Sequence, residues 1–188
     1  MSEQAREIDG VSVPPVGKYE LDASHTEVSF VARHMLTKVR GRFTEFSGTI
    51  EVGDTPETSG VEVEVKTDSV QTNFEQRDNH LKSADFFETD EHPVMTFRST
   101  AIRHAGGSSF ELDGDLTIRD ITKPITIEGE FLGWGKDPYD NTIFSAEAKT
   151  TVEREDWDLT WNVAVETGGF LVSKKIDLVI DVEARKVG

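Results

Sequence analysis

The segment 77–99 (RDNHLKSADFFETDEHPVMTFRS) contains the side chains whose types and spacing could do chemistry. Asp78, His80 and Ser83 are the kinds of group from which hydrolases assemble an orienting acid, a general base and a nucleophile. No serine of the chain lies in a G-x-S-x-G turn, and close neighbours such as Asp78 and His80 do not face each other on a helix. The sequence therefore predicts no catalytic residue in this segment.

Arg77 and His80 are three residues apart, the spacing at which two side chains of a helix can point the same way. They could bind the carbonyl or head group of a ligand, or they could bond strand-end carbonyls and hold the helix in place. Trp157 and Trp161 are large amphipathic rings near strand ends, and they could line the mouth of a cavity or plug it. Together with His25, these residues are predicted to form a polar cavity mouth or a helix anchor.

The histidines and cysteines give no support to a metal site. Five histidines lie on different segments, with no H-x-H or H-E-x-x-H spacing among them. A site built from Asp22, His25 and His80 is conceivable, but spacing does not favour it. The chain contains no cysteine, which excludes disulfides, thiolate catalysis and thiolate-bound metals. We therefore predict no metal and no cofactor.

Composition limits the classes of partner. The 188 residues include 20 Lys and Arg against 36 Asp and Glu, a net charge of −16, which argues against binding nucleic acid or anionic membrane by bulk electrostatics. No apolar run approaches the ~20 residues of a membrane-spanning helix. The start of the sequence lacks the pattern of a secretory signal, so a cytoplasmic location is expected, or a periplasmic or secreted one if the chain has been trimmed of a leader. Residues 1–16, with Pro14 and Pro15, are predicted to form a flexible arm, and a homodimer is conceivable.

Most of the remaining chain alternates apolar and polar residues, the pattern typical of β-strands with one buried face. About eight segments show it after a short strand near Tyr19, whereas the basic stretch 35–42 is predicted to be an irregular connection. An antiparallel sheet with one wet face must hide its apolar face. We therefore predict an all-β domain over residues 17–188, a closed antiparallel eight-stranded barrel with one short helical insertion at about residues 75–88.

The sizes of the inward-facing residues indicate whether the barrel is packed or hollow. Gly48, Gly114, Gly129, Gly133 and several alanines fall at inward positions, where they either leave volume for a ligand or bend the strands so that the barrel can close. The set favours an apolar cavity, which would suit a long hydrocarbon better than a sugar, nucleotide or peptide. Its predicted lining is aliphatic and aromatic, and consists of Phe30, Phe46, Ile50, Val63, Phe97, Leu112, Leu116, Ile127, Phe131, Phe144 and Leu178.

Several ordered motifs resemble the YceI-like family over about residues 17–186. They are Tyr19-x-Leu-Asp22-x-x-His25, Arg77-Asp-x-His80-Leu81, Phe86-Phe87, Pro93-x-x-x-Phe97-x-Ser99, Gly114-Asp-Leu-Thr117, Thr122-Lys-Pro124 and Arg154-x-Asp156-Trp157. The resemblance implies a lipocalin-like barrel whose pore holds a polyisoprenoid or an isoprenoid quinone, and many members of the family are periplasmic. Ser173-Lys-Lys175 departs from the acidic, glycine-containing turn that is usual before the last strand.

These observations lead to one expected function and two alternatives. We expect a binding protein that holds an apolar isoprenoid chain for storage, sequestration or transport, with Arg77 and His80 touching the polar end of the ligand or positioning the helix. The first alternative is an enzyme acting on an isoprenoid head group, with His25 or His80 as base. The second is a stress-related scaffold protein with a packed interior.

Overall fold

The computed structural model describes residues 6–188. It contains one α-helix within that range, α1 (Glu75–Lys82), and 3₁₀ turns at Pro56–Thr58, Thr67–Ser69 and Arg154–Trp157. Its strands are β1 (Arg6–Ile8), β2 (Val11–Val13), β3 (Gly17–Leu21), β4 (Glu27–His34), β5 (Thr37–Phe43), β6 (Phe46–Val52), β7 (Gly60–Lys66), β8 (Val70–Gln71), β9 (Val94–Gly106), β10 (Ser109–Ile118), β11 (Ile121–Lys136), β12 (Thr142–Glu153) and β13 (Lys175–Val187). No helix in the described part of the chain has the length and apolar character needed to cross a membrane.

The large sheet closes on itself through β13. One side of β13 pairs with β12, and the other side pairs with β4 at residues 177–181 and with β3 at residues 184–187. The pairs β3–β4, β5–β6 and β7–β8 are each one strand broken by a short turn, so the sheet forms a closed antiparallel barrel of eight strands. This confirms the predicted fold class. Closure also removes the exposed edges at which a sheet could recruit other chains.

Alternation along the strands produces the two faces of the barrel. In β13, Ile176, Leu178, Ile180 and Val182 point inward and alternate with exposed residues such as Asp177. Successive side chains of a strand point to opposite faces, so one apolar-polar repeat supplies both a hydrophobic interior and a charged exterior. The same period runs through β6, β7 and β10, where the sequence predicted strands.

Two segments differ from the sequence predictions. Residues 35–42, predicted to be irregular, contain most of β5, in which Val39, Gly41 and Phe43 turn inward while the basic residues between them face solvent. In the arm expected over residues 1–16, Arg6–Ile8 and Val11–Val13 pair as an antiparallel hairpin, and residues 1–5 lie outside the described part of the chain. The strands of this hairpin have three residues each, too few for an alternating pattern to stand out.

The helical insertion is shorter than predicted. The helix begins after Phe74 and ends at Lys82, whereas the prediction extended to about residue 88. The Ser83 amide donates to the His80 carbonyl, and the chain then turns back, with the Phe87 amide donating to the Leu81 carbonyl and Glu88 at a φ of 48°. Eight residues are too few for an isolated helix to be stable in water, so tertiary contacts must hold this one.

Candidate ligand cavity

The barrel contains an apolar cavity of about 940 Å³, with a packed cluster at each end. The helix end is closed by a buried cluster that includes Phe43, Phe86 and Trp157. The opposite end, which we call the hairpin end because β1 and β2 lie there, is packed around Tyr19, Phe144 and Ala184. The interior between these clusters is hollow and not packed as the scaffold alternative assumed.

Ten of the eleven side chains predicted to line the pore lie on the cavity wall. The exception is Phe46, which packs against the buried cluster at the helix end. Phe46 has the inward register of Ile50, but it is the first residue of β6, beside the break between β5 and β6, and it therefore belongs to the packed end of the barrel. The alternation of apolar and polar residues predicts only the face of the strand on which a residue lies. It does not predict how close Phe46 lies to the packed end of the barrel.

Neighbouring side chains fill the space beside several of the inward glycines. The Phe30 ring occupies the space in which a Cβ of Gly41 would lie, and the Phe110 ring does the same at Gly129. Each phenylalanine is paired with its glycine across neighbouring strands. Such glycines let an aromatic ring lie flat against the wall, a role different from the spare volume and the strand bending that the sequence predicts.

Arg77 and His80 lie on the cavity wall at the helix end. The Arg77 guanidinium donates from Nε to the Thr72 hydroxyl (2.7 Å) and from Nη2 to the Thr72 carbonyl (2.8 Å), so it fastens the helix to the end of β8. His80 Nε2 lies 2.8 Å from a carboxylate oxygen of Asp85. Its ring meets Trp161 edge to face at a centroid distance of 4.5 Å. Both residues anchor the helix, and both also face the space in which a ligand would lie.

The groups that could have formed a catalytic triad are not assembled. Asp78 accepts hydrogen bonds from the Thr72 amide and hydroxyl. The Ser83 hydroxyl donates to the His80 carbonyl rather than to its ring. The three side chains therefore have separate structural partners, as the absence of a nucleophile motif in the sequence indicated.

A buried arginine, which the sequence analysis quoted only as part of a motif, organises the loop above this end of the cavity. Arg154 is 3% exposed and donates to the carbonyls of Ser173 (2.9 Å), Trp161 (2.9 Å) and Leu159. Burial lowers the pKa of this guanidinium. Because its partners are carbonyls of the loop at residues 158–173, Arg154 holds that loop against the barrel while its side chain contributes to the cavity wall.

Trp157, predicted to line the mouth of the cavity or to plug it, belongs to the buried cluster at the helix end and also lies on the cavity wall. Its side chain is fully enclosed, and its indole N–H donates to the Leu116 carbonyl at 2.9 Å. Trp161 is only half-buried and lies closer to the surface, against His80 and Phe86.

His25 lies away from the cavity, in the turn between β3 and β4. Its Nδ1 is 3.1 Å from Asp22 Oδ2 and 3.4 Å from Glu183 Oε1. Hydrogen bonds from the Ser24 hydroxyl and from His25 lower the pKa of Asp22 to about 2, and the bond to Asp22 raises the pKa of His25. Asp22, His25 and Glu183 could approach a single ion, but their mutual ion pairs explain the arrangement, and His80 is not part of it. We assign no metal to them.

The hairpin end contains cavity residues that the sequence analysis did not identify. Ile8 and Val11 of the N-terminal hairpin lie on the wall. Arg6 fixes the hairpin by donating to the carbonyls of Gly53 (3.1 Å) and Pro14 (2.8 Å). The indole of Trp134 donates to the Ser12 hydroxyl at 3.0 Å. A sequence signal for this hairpin was available. Asp9-Gly10 lies between the apolar residues Ile8 and Val11, and Asp-Gly between apolar residues is typical of a hairpin turn.

Known proteins share this sequence and fold. A family model for the YceI-like domain matches residues 19–184. Protein YceI of Shigella flexneri is 34% identical over 176 residues, which cover 93% of this chain and 88% of that protein. The crystal structure of BcnA from Burkholderia cenocepacia has a TM-score of 0.75 at 18% identity, over 87% of this chain and 98% of that one. A polyisoprenoid binding domain from Saccharophagus degradans, implicated in plant cell wall breakdown, has a TM-score of 0.65 at 15% identity, over 92% and 99%.

The matched region runs from β3 into β13 and so includes every strand of the barrel. The family model and the identity to YceI agree with the resemblance found in the sequence motifs, and the two solved structures agree with the observed barrel. The chain therefore belongs to the YceI-like family.

Proposed function

We propose that this protein binds a long apolar isoprenoid chain, a polyisoprenoid or an isoprenoid quinone, in the barrel cavity, and that it stores, sequesters or transports that molecule. The observation that carries the proposal is the cavity of about 940 Å³ inside the barrel, with its aliphatic and aromatic wall. The structural likeness to a domain described as polyisoprenoid binding supports the class of ligand.

The energetics of such a ligand suit this wall. An isoprene chain presents only C–H groups along its length, and each methylene removed from water contributes about 0.8 kcal/mol. A sugar or nucleotide would instead leave several polar groups without hydrogen-bond partners against residues such as Leu112, Ile127 and Leu178, at a cost of roughly 1–3 kcal/mol each. The polar groups available on the wall are concentrated near the ends, as at Arg77 and His80, where the head group of a ligand would lie.

An enzyme acting on an isoprenoid head group is less well supported. His25, one of the two expected bases, lies in an exposed turn away from the cavity. His80 faces the cavity but is engaged with Asp85 and Trp161. No specific arrangement of these residues favours catalysis over binding.

Mass spectrometry of an organic extract of the purified protein tests the proposal. We expect a stoichiometric amount of an isoprenoid from the wild type and little from Ala146→Phe, because Ala146 lies on the wall and a phenyl ring there would occupy ligand volume. Ala148→Phe is a second variant of the same kind, in case the first perturbs the fold.

The matched control is Glu147→Phe, which places the same ring on the exposed face of the same strand. It should retain the ligand, and circular dichroism should show the same β content in all variants. A wild-type extract without isoprenoid after expression in several hosts, or full ligand retention by both cavity variants, would contradict the proposal.

A further inference from the structure

One end of the barrel carries an exposed apolar surface, which we call the apolar tip: Met35 and Leu36 in the turn between β4 and β5, and Val163 and Phe170 in the loop before β13. Leu36 is 91% exposed and Phe170 is 57% exposed, values that are unusual for residues of this size. A large aliphatic side chain so fully in water contributes nothing to the core, so its presence here is not explained by folding.

Backbone hydrogen bonds bring the two halves of the apolar tip together. The Met35 amide donates to the Leu171 carbonyl at 2.8 Å, and the Leu171 amide donates to the Val163 carbonyl at 2.9 Å. Ala164 and Phe170 form an antiparallel bridge, as do His34 and Val172. The four apolar residues therefore belong to one connected structure and not to two separate flexible loops.

Positive charge is concentrated beside the apolar tip. Arg33 on β4 and Lys38, Arg40 and Arg42 on β5 are all exposed, and no acidic residue occurs between Val28 and Thr44. Over residues 6–188, no hydrogen bond or ion pair engages these four side chains. Nearby, the Lys174 ammonium lies 5.7 Å from the centre of the Phe170 ring, but it is paired with Glu155 at 3.2 Å and is not counted among these cations. In a chain with a net charge of −16, four unpaired cations within ten residues are a local exception.

The apolar tip is next to the cavity. His34 and Thr37, which flank Met35 and Leu36, lie on the cavity wall, and so do Leu171 and Val172 next to Phe170. His34 and Thr37 are exposed as well, so the wall reaches the surface of the molecule here. A surface that receives the apolar tip would also face this end of the cavity.

We propose that the apolar tip, with Arg33, Lys38, Arg40 and Arg42 around it, is a docking surface for an anionic lipid membrane. Exposed apolar side chains enter the boundary between head groups and acyl chains, while neighbouring cations are attracted to anionic lipids. The overall negative charge does not prevent this, because charges more than a Debye length away, about 8 Å at physiological ionic strength, are largely screened.

A second copy of the chain is a poorer occupant of the same surface. In a two-fold symmetric contact the same patch meets itself. The four cations of one copy would then face the four of the other, and like charges brought together in this way oppose association. An anionic bilayer, in contrast, complements both the apolar and the basic residues.

The purpose of the docking surface would be the exchange of an apolar ligand with a membrane, and this purpose rests on the proposed function. The test of membrane binding does not require any ligand. We would measure co-sedimentation with vesicles of phosphatidylcholine, with and without phosphatidylglycerol, at low and high salt. The wild type should bind the phosphatidylglycerol vesicles and be released by salt. Leu36→Glu/Phe170→Glu should weaken binding at least about tenfold, because two apolar insertions are lost. Arg40→Glu/Arg42→Glu should weaken it by a similar factor.

Matched variants separate local from general effects. Leu132→Glu introduces the same carboxylate at another exposed leucine, on β11, and Lys18→Glu/Lys149→Glu changes the net charge as much as Arg40→Glu/Arg42→Glu does. Both controls should bind like the wild type. Equal loss in controls and test variants, or no preference of the wild type for phosphatidylglycerol, would overturn the proposal. Self-association that the apolar-tip variants abolish, without vesicle binding, would overturn it in favour of a second copy.

Discussion

The ring of Phe97 covers Gly114 on the neighbouring strand, in the space that a Cβ of Gly114 would need. The carbonyl oxygen of Arg98 closes the same space from the backbone side, 2.7 Å from that position. The ring can move only at the expense of its other contacts in the wall, and the backbone cannot move without disturbing the pairing of β9 with β10. Gly114 is therefore required by packing.

Gly114→Ala should destabilise the protein by about 1–3 kcal/mol, the usual cost of adding a methyl group to a filled space. The free energy of unfolding in urea measures this. Gly135→Ala on β11 is the matched control, because no atom lies within 4 Å of a Cβ at that glycine, and it should be neutral or slightly stabilising. Equal effects of the two substitutions would show that Phe97 does not occupy the space as described.

Arg154→Met should cost about 3 kcal/mol or more, because it leaves the carbonyls of Leu159, Trp161 and Ser173 without their donor. Amide hydrogen exchange should also become faster in the loop at residues 158–173. Arg154→Lys should recover only part of the loss, since an ammonium group cannot reproduce the geometry of the guanidinium. Arg40→Met, at an exposed arginine, is the control. An Arg154→Met protein as stable as Arg40→Met would refute the anchoring role.

Trp157→Phe should destabilise the protein by about 1–3 kcal/mol, because it removes the buried hydrogen bond to the Leu116 carbonyl and leaves a smaller ring. Trp134→Phe removes a bond of similar length to Ser12, but that bond is open to solvent and the ring is only partly buried. It should cost less than Trp157→Phe, because water can replace the lost partner of an exposed hydroxyl. If the two substitutions cost the same, burial does not determine the strength of the Trp157 bond.

The pH dependence of stability should reveal the pair formed by Asp22 and His25. The pKa of Asp22 is lowered from 3.8 to about 2, so its contribution is full above pH 3.8 and disappears as the pH falls toward 2. The pKa of His25 is raised above 6.5, so its contribution is full below pH 6.5 and disappears as the pH rises through the higher folded value. The stability lost in His25→Ala should therefore be greatest between pH 3.8 and 6.5.

Urea unfolding of the wild type and His25→Ala over a series of pH values provides that measurement. His34→Ala is a suitable control, because no ion pair of the His34 ring occurs within residues 6–188. A difference between wild type and His25→Ala that stays constant from pH 3 to pH 9 would contradict the described ion pairs.

The barrel could be predicted because its signal is repeated. Residues such as Ile176, Leu178 and Ile180 alternate with acidic residues in a long strand, and similar strands recur through the chain. β5 escaped prediction because Lys38, Arg40 and Arg42 dominate its composition, although Val39 and Phe43 keep the inward register. The basic residues thus led to the wrong prediction of an irregular connection. The alternation of apolar and polar residues would have predicted a strand.

The site was predicted less completely than the fold, for a physical reason. Position along the barrel axis depends on how strands are staggered against one another, and this information is not contained in the alternation of a single strand. Phe46 and Ile50 share a face, yet only Ile50 lies on the cavity wall. Similarly, nothing in the local sequence shows that Arg154 reaches carbonyls up to 19 residues away.

The pairing of β13 with both β3 and β4 also determines when the molecule can become a barrel. During synthesis, β3 and β4 emerge more than 140 residues before β13, at roughly 5–20 residues per second. Until then the edge of β4 has no partner, and the interior surface cannot be sealed from water. Closure therefore depends on a contact between segments more than 140 residues apart in sequence, which makes it slow. At that rate a nascent chain exposes its future cavity wall for roughly 7–28 s, the interval in which it most needs protection from aggregation.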